Sequence, residues 1–441
     1  MKSEKGQVLS LAALTWPIFI EQVLLKLIGS ADIVMLSRYS DAAAAAVGVT
    51  NQIVLFTSVL FSVISTGAVV VHSQYTGAGR HNQLKHITST AIICSFAIGL
   101  LISIVFILFY EPMLSGMDLY DNVREYAHIF ARLVGGFIFL RGLTITINGL
   151  LRSYGYAKDP LYTNIIVNII NIIGNYIALF VLDSGVFGVA VATVISTILW
   201  TILTIIILYK RVGNPFLLAG IKKRTAFYGK KILGIGIPGA GESMSYSGYQ
   251  LVLTNVITTM GGVALVTRVY TRTLNVFMFL FTVALSQAGA IIIGNLKGAG
   301  KIDELYKLCL KNVKIGMAVS LSLAGFFYIF SEPLLSIFSD NPEVITMGSQ
   351  VFLVYFFVEA GRVLNMVIIT SLRAVGDVKF AVYYGIFNMW VIGFGMSFFF
   401  GVVMGMGLVG VVIGTALDEC IRGIVMLFRW KSKVWQKNKL I

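Results

Sequence analysis

Charged residues are scarce in this chain of 441 residues, because Asp, Glu, Lys and Arg together make up 12% of it. A soluble globular protein carries roughly 25% of these residues. Hydrophobic residues make up 57% of the chain, and so few charges could not cover the surface that a soluble fold of this length exposes to water. Most of the chain must therefore contact lipid, which excludes a cytosolic enzyme, a nucleic-acid-binding domain and a secreted disulfide scaffold.

Cysteine and histidine are also scarce, with three and four residues respectively. Cys94 and Cys420 lie inside apolar runs and Cys309 lies close to two lysines, so we expect free thiols instead of a disulfide framework. The histidines show no His-Glu-x-x-His spacing, and the sequence contains neither a P-loop nor a G-x-S-x-G motif. These absences argue against a membrane enzyme, a metal site and any bound cofactor.

The long apolar runs predict an all-α polytopic membrane protein with twelve transmembrane helices. A bilayer core of about 30 Å requires about 20 apolar residues of helix. The predicted helix centres lie near Gln22, Leu60, Leu100, Phe139, Ile172, Ile198, Gln250, Leu280, Ser320, Leu364, Met389 and Ile421. The first of these segments is too long and too polar for a cleaved signal peptide.

The loops between these segments alternate in charge. Every second loop is basic, including 210–231 and 431–439, whereas the other loops are acidic or nearly neutral, as at Glu111 and Asp340. Cytoplasmic loops collect Lys and Arg, so both termini are predicted to be cytoplasmic. The chain has 34 basic and 20 acidic residues, and membrane topology explains why the basic residues are in excess. We therefore expect no nucleic-acid partner.

The sequence is a tandem repeat whose halves align at one constant offset, from 17–158 onto 238–379. The matched pairs include Pro17 with Pro238, Glu21 with Glu242, Arg141 with Arg362, Arg152 with Arg373 and Gly155 with Gly376. The repeat predicts an N-lobe (1–209), a cytoplasmic linker (210–230) and a C-lobe (231–441). Because six helices per lobe keep the orientation parallel, we expect a pseudo-two-fold axis along the membrane normal, with substrate handled near the midplane by rocking of the lobes.

Several of the duplicated motifs resemble those of the multidrug and toxic compound extrusion (MATE) family. They comprise the helix starts at Pro17 and Pro238, residues 74–79 and 294–300, and residues 151–155 and 372–377. The resemblance covers nearly the whole chain. It implies an exporter in the cytoplasmic membrane, usually for lipophilic organic cations, driven by inward movement of H⁺ or Na⁺. We expect a monomer in the lipid bilayer.

Asp32 is the strongest candidate for ion coupling. An ionisable group at membrane depth costs at least roughly 2.5–3.5 kcal/mol, so it needs a partner or a function. Asp32 has no acidic counterpart in the other half, where Leu253 occupies the position. The family resemblance implies that an aspartate at this distance after the first proline couples the cation; the alternative is an anchor at the helix end. Asn171 and Asn175 are predicted to hold Asp32, and H⁺ is favoured over Na⁺.

Glu21 and Glu242 each follow a duplicated proline by four residues. Proline removes a helical hydrogen bond and kinks the helix, so Pro17 and Pro238 are predicted hinges. The two carboxylates either organise these kinks or act in transport. We assign Glu242 to ion coupling and Glu21 to the substrate cavity.

Further polar and aromatic side chains are candidates for the substrate cavity, namely Asn168, Tyr246, Tyr249 and Glu359. Aromatic faces attract organic cations, although the same tyrosines suit core packing. Internal ion pairing is the alternative for Glu359 with Arg362, and for Asp418 and Glu419 with Arg422. The rival function is a flippase or exporter of a lipid-linked saccharide or another amphipathic lipid, which a basic cavity would favour.

Overall fold

The fold consists of helices joined by short turns. The computed structural model describes residues 10–115, 120–215 and 221–438, and it describes the side chains of all of these except 27–33, 55–56 and 221–223. No strand occurs among the described residues.

The described part of the first half contains seven α-helices and one π-helical turn. They are α1 (Leu11–Tyr39), α2 (Asp41–Gly77), α3 (His81–Ser115), α4 (Asp121–Gly136), α5 (Ile138–Ser153), α6 (Lys158–Tyr176), the π-helical turn Ile177–Val181, and α7 (Gly185–Val212). The chain between α4 and α5 bends by 49°. Counting this bent pair as one span, and α6 with its π-helical turn as another, the half provides six spans.

The second half repeats this order. It contains α8 (Ile221–Thr258), α9 (Gly262–Gly298), α10 (Ile302–Ile329), α11 (Ser331–Ser336), α12 (Pro342–Ala374), α13 (Val378–Asn388), the π-helical segment Met389–Phe394, α14 (Gly395–Phe398), the π-helical segment Phe399–Val403, α15 (Gly407–Lys431) and a 3₁₀ turn, Val434–Lys437. The segments from α13 to Val403 form one continuous span. Each of the twelve predicted helix centres falls in a separate span, so the predicted fold class is confirmed.

Most of these spans satisfy a simple test of length and apolarity. In the described residues eight helices are long and apolar enough to cross a membrane, or nine if the bent pair counts as one span. The three remaining spans, α1, α8 and α15, have 29, 38 and 25 residues and carry buried carboxylates. Large apolar side chains on α3, such as Leu101 and Leu108, are exposed on the outside of the fold, as lipid contact requires.

The boundaries of the helices follow the sequence repeat. The repeat aligns Asp41 and Gly77, the ends of α2, with Gly262 and Gly298, the ends of α9. The turn glycines Gly79 and Gly300 have φ values of 69° and 71°, a backbone conformation that favours glycine because it has no Cβ. A positive φ is likewise shared by Gly185 and Gly407, where the alignment of the halves has shifted by one position.

The chain divides into two compact units, Met1–Gly236 and Ile237–Ile441. Helix α8 belongs to both of them. In the first unit its initial turns pack closely on α2, since a Cβ added to Gly236 would lie 2.0 Å from the Val63 carbonyl oxygen. In the second unit Tyr249 and Leu253 of α8 pack in one core with Phe352 and Val358 of α12.

Candidate ion-coupling and substrate sites

Each half contains a buried ion pair at the same repeat position. In the first half Arg152 Nη2 at the end of α5 donates a hydrogen bond to Glu21 Oε2 of α1, at 2.6 Å. In the second half Arg373 Nη2 at the end of α12 donates to Glu242 Oε2 of α8, at 2.5 Å. Glu21 is 3% and Glu242 is 9% exposed. The pairs tie the first span of each half to the fourth, so the two glutamates form equivalent ion pairs.

Pro17 and Pro238 lie inside α1 and α8, upstream of these glutamates. Both helices continue through the proline without a break in the described backbone. Proline removes one hydrogen bond from such a helix, and the ion pair one turn later holds the helix against its neighbour. The hinge role of the two prolines stays a prediction, as does the assignment of Glu242 to ion coupling.

A second set of charges is buried around Glu359 on α12. Arg362 Nη1 forms a short hydrogen bond with Glu359 Oε1 and donates another to Asn275 Oδ1 of α9, at 3.0 Å. Asn275 Nδ2 in turn donates to Glu359 Oε1 at 2.9 Å. The ion pairing expected between Glu359 and Arg362 is confirmed. Glu359 is fully buried, so in this conformation the predicted cavity residue is sealed from solvent.

A third set lies on α15 and faces the preceding span. Arg422 Nη2 contacts Asp418 Oδ2 at 2.7 Å and Glu419 Oε2 at 3.4 Å, which confirms the expected ion pairing. Asn388 Nδ2 donates to Asp418 Oδ1 at 2.7 Å. Asn365 Nδ2 donates to Glu419 Oε2 at 2.8 Å. The two carboxylates are thus supported by amides from two other helices.

These two sets join into one group, which we call the C-lobe charge cluster: Glu359, Arg362, Asp418, Glu419 and Arg422. Arg362 Nε lies 3.7 Å from Glu419 Oε1 and connects the sets. All five residues are buried, and the most exposed of them, Arg362, is 9% exposed. Three carboxylates face two guanidinium groups, and arginine stays protonated. With all three carboxylates ionised, the cluster therefore has one unbalanced negative charge, which a proton or a small cation can neutralise.

The predicted aromatic residues of α8 lie beside a tryptophan in the fifth span of the second half. Tyr246 is 38% exposed, whereas Tyr249 is fully buried. The Tyr249 ring lies edge-on to Trp390, at a centroid distance of 6.3 Å. Trp390 Nε1 donates to Ser245 Oγ at 2.9 Å. Trp390 itself is 37% exposed. Tyr246 and Trp390 together offer an accessible aromatic surface, and Tyr249 serves as its packed support.

The asparagines of α6 form two hydrogen-bonded pairs along one helix. Asn168 Nδ2 donates to Asn164 Oδ1 at 2.6 Å, and Asn175 Nδ2 donates to Asn171 Oδ1 at 3.3 Å. Asn171 and Asn175 are buried. The Asp32 side chain lies outside the described residues, so its contact with these amides stays a prediction.

Sequence reasoning missed several polar residues at membrane depth. Asn275 and Asn388 hydrogen-bond to the C-lobe charge cluster, and amides within predicted membrane spans are the signal that could have identified them. Arg268 on α9 is also buried and donates to Gln250 Oε1 at 2.8 Å. None of the described residues form a group of three or more His, Cys, Asp and Glu that could hold a metal ion.

Comparison with known proteins places these features in a family. The MatE family model matches the chain twice, over residues 17–177 and 238–399, which reproduces the internal repeat. The chain is 38% identical to the uncharacterized transporter YisQ of Bacillus subtilis, over 99% of this chain and 96% of that protein. It is 23% identical to the probable multidrug resistance protein NorM of Thermotoga maritima, over 98% of this chain and 94% of that one.

The fold is likewise similar to that of a solved transporter. A multidrug resistance MATE family transporter of the MOP superfamily, solved in an outward-facing conformation, superposes with a TM-score of 0.89. The alignment covers 97% of this chain and 96% of that one, at 19% sequence identity. Such structures contain twelve transmembrane helices in two lobes. The chain therefore belongs to the MATE family, a family of multi-pass membrane transporters and not of enzymes.

Proposed function

We propose that this transporter is an ion-coupled antiporter that exports lipophilic, mainly cationic organic compounds by alternating access. H⁺ is the proposed coupling ion, with Na⁺ as the alternative. The observation that carries the proposal is the C-lobe charge cluster, in which buried carboxylates outnumber guanidinium groups by one. Without substrate, a site of this composition binds a proton, because the proton neutralises the extra buried carboxylate. When an organic cation binds nearby, its positive charge takes over this role and favours release of the proton.

The aromatic surface next to the cluster supports the proposed substrate class. Tyr246 and Trp390 expose more than a third of their area, and aromatic faces attract organic cations. Several relatives carry names that describe multidrug resistance proteins. An acidic interior suits a cation better than the pyrophosphate of a lipid-linked saccharide, so the flippase function is less well supported.

In the N-lobe we propose Asp32 as a coupling residue, held by Asn171 and Asn175. A buried carboxylate with amide neighbours binds a proton more readily than a dehydrated metal cation, since burial disfavours the ionised form. Protonation makes Asp32 a hydrogen-bond donor and removes a charge at membrane depth, which lets α1 repack around Pro17. We further propose that the protein works as a monomer in the cytoplasmic membrane with both termini in the cytoplasm.

The test uses purified protein in liposomes that contain a fluorescent organic cation. We expect an imposed pH gradient to drive counterflow of the cation and an imposed Na⁺ gradient to have no effect. Asp32→Asn and Glu359→Gln should each abolish pH-driven counterflow, whereas Glu304→Gln should not, because Glu304 is exposed and pairs only with Lys301 among the described contacts.

Results that differ from these expectations would contradict specific parts of the proposal. Counterflow driven only by Na⁺ would contradict proton coupling. Counterflow in neither gradient, combined with thermal stabilisation by a lipid pyrophosphate and not by organic cations, would favour the flippase. Normal transport by Asp32→Asn at every pH would move the coupling role to Glu242 or to Glu359 and the C-lobe charge cluster.

A further inference from the structure

An arginine of the N-lobe lies near the middle of its membrane span, and the structure describes no charged partner for it. Arg141 is on α5, 11 residues before Arg152, which corresponds to about 16 Å along the helix, within a hydrocarbon core of about 30 Å. Its guanidinium forms no hydrogen bond or ion pair with any side chain that the structure describes. Because arginine stays protonated, a charge at this depth needs an anion from another source.

The equivalent position in the C-lobe belongs to the C-lobe charge cluster. Arg362, which the repeat aligns with Arg141, pairs there with Glu359. The residues aligned with the other four members of the cluster are neutral, the last three after the one-residue shift of the alignment: Ile138, Ser196, Thr197 and Trp200. With its carboxylates ionised, the C-lobe therefore has one surplus negative charge at this level, whereas Arg141 leaves the N-lobe with one positive charge.

Other helices of the N-lobe cover three sides of α5 around Arg141. Phe139 N donates to Ser103 Oγ of α3 at 3.0 Å. Thr144 Oγ1 lies 3.0 Å from Thr201 Oγ1 of α7, and α2 packs along the same helix. Arg141 itself is only partly buried. Its side chain therefore lies on a side of α5 that these helices leave accessible.

The accessible side of α5 is the one turned towards α1. Arg141 and Arg152 are 11 residues apart, close to three full turns, so both lie on one face of α5. Arg152 reaches from this face to Glu21 of α1, although α1 packs mainly on α2 and α6. The anionic group of a ligand can therefore approach Arg141 from the side of α1.

We propose that Arg141 binds the carboxylate of zwitterionic organic compounds. This inference rests on the proposed function, export of organic cations, and extends it to compounds that carry a carboxylate as well as a cationic group. The planar guanidinium matches a carboxylate through two parallel hydrogen bonds. One guanidinium also balances the single charge of a carboxylate, whereas the pyrophosphate of a lipid carries more negative charge than Arg141 alone can neutralise.

The test compares two dyes that differ in this one group, namely rhodamine B, which has a free carboxylate, and its ethyl ester. Fluorescence anisotropy measures the dissociation constant of each dye for the purified protein. We expect Arg141→Gln to raise the constant for rhodamine B by roughly tenfold and that for the ester by less than about twofold. Arg141→Lys keeps the charge and should restore part of the affinity for rhodamine B.

Arg132→Gln is the matched control, because it removes an exposed arginine from α4 of the same lobe, and it should leave both constants unchanged. Arg141→Gln should also keep the melting temperature of the wild type, since it breaks no described ion pair. A lower melting temperature together with equal weakening of both dyes would assign Arg141 a structural role and would overturn the proposal.

The remaining outcomes separate this inference from the proposed function. Binding of the ester, with no effect of Arg141→Gln on rhodamine B, would contradict the inference alone. Failure of the wild type to bind either dye would contradict both. A shift in the pH dependence of ester binding in Arg141→Gln would show that Arg141 balances a carboxylate of the protein, such as Asp32, and would contradict a substrate ligand.

Discussion

At the scale of single residues, the duplicated Glu–Arg pairs are the clearest consequence of the repeat. Glu21 and Arg152 are 131 residues apart, as are Glu242 and Arg373, and each pair forms a direct hydrogen bond. Each half thus contains a glutamate and an arginine at the same separation in sequence, and this repeated pattern can be recognised without a structure. The sequence alignment of the halves identifies each residue, but their contact became evident only in the folded chain, because nothing local indicates which distant helix lies next to α1.

Glu21→Gln should destabilise the protein by about 3 kcal/mol, because it leaves the Arg152 guanidinium without its carboxylate in a largely buried position. The double variant Glu21→Gln with Arg152→Gln should lose less, since no buried charge remains unpaired. Reversible unfolding in mixed micelles with increasing sodium dodecyl sulfate measures both. Glu304→Gln is the control and should change the free energy of unfolding by less than about 1 kcal/mol, because its pair with Lys301 is exposed. Wild-type stability of Glu21→Gln would contradict a structural role for the pair.

At the scale of helices, both lobes connect the start of the fifth span to the end of the sixth by an arginine. Arg211 bonds Asp159 at 2.7 and 2.9 Å and lies 4.9 Å from the centroid of the Tyr156 ring. Arg429 bonds Asp377 at 2.8 and 3.3 Å and lies 4.4 Å from that of Phe380. In the alignment of the two halves, Asp377 corresponds to Tyr156 and Phe380 to Asp159. The acid and the aromatic residue have exchanged positions.

This exchange predicts that the acid and the aromatic residue can be swapped between positions 156 and 159. Asp159→Phe alone should lower the apparent melting temperature, because Arg211 loses both of its hydrogen bonds to Asp159, although the exposure of Arg211 limits the contribution of this pair to about 1 kcal/mol. Adding Tyr156→Asp should restore much of the loss, since the double variant has the arrangement of the C-lobe. Size-exclusion chromatography after heating measures the fraction that stays folded. A double variant less stable than Asp159→Phe would show that the two positions are not interchangeable.

The helices also show how far sequence reasoning extends. Hydropathy and the repeat predict all twelve spans, since each needs only a local apolar run and a second copy. The exchanged acid and aromatic residue were missed because residue-by-residue comparison of the halves pairs Asp377 with a tyrosine. The C-lobe charge cluster was identified only in parts, since its amides Asn275 and Asn388 come from separate spans and amides are common in helix packing.

At the scale of the whole molecule, a parallel repeat requires that equivalent turns of both lobes face the same side of the membrane. A cysteine at Asn341, in a variant from which Cys94, Cys309 and Cys420 have been removed, should react with an impermeant maleimide only from outside the cell. A cysteine at Lys301 should react only from the cytoplasm, because its turn is basic. Reaction of the Asn341 cysteine from the cytoplasm alone would contradict the predicted orientation of the termini.

The central claim, antiport of protons and organic cations, requires that substrate binding displaces protons from buried carboxylates. Isothermal titration of the purified wild type with an organic cation, repeated in buffers of different ionisation enthalpy, measures this exchange directly. We predict that the observed binding enthalpy changes with the buffer in the sense of proton release, and that Asp32→Asn and Asp418→Asn each diminish the change. Binding with the same enthalpy in every buffer would show that no proton leaves the protein, and it would contradict proton-coupled antiport.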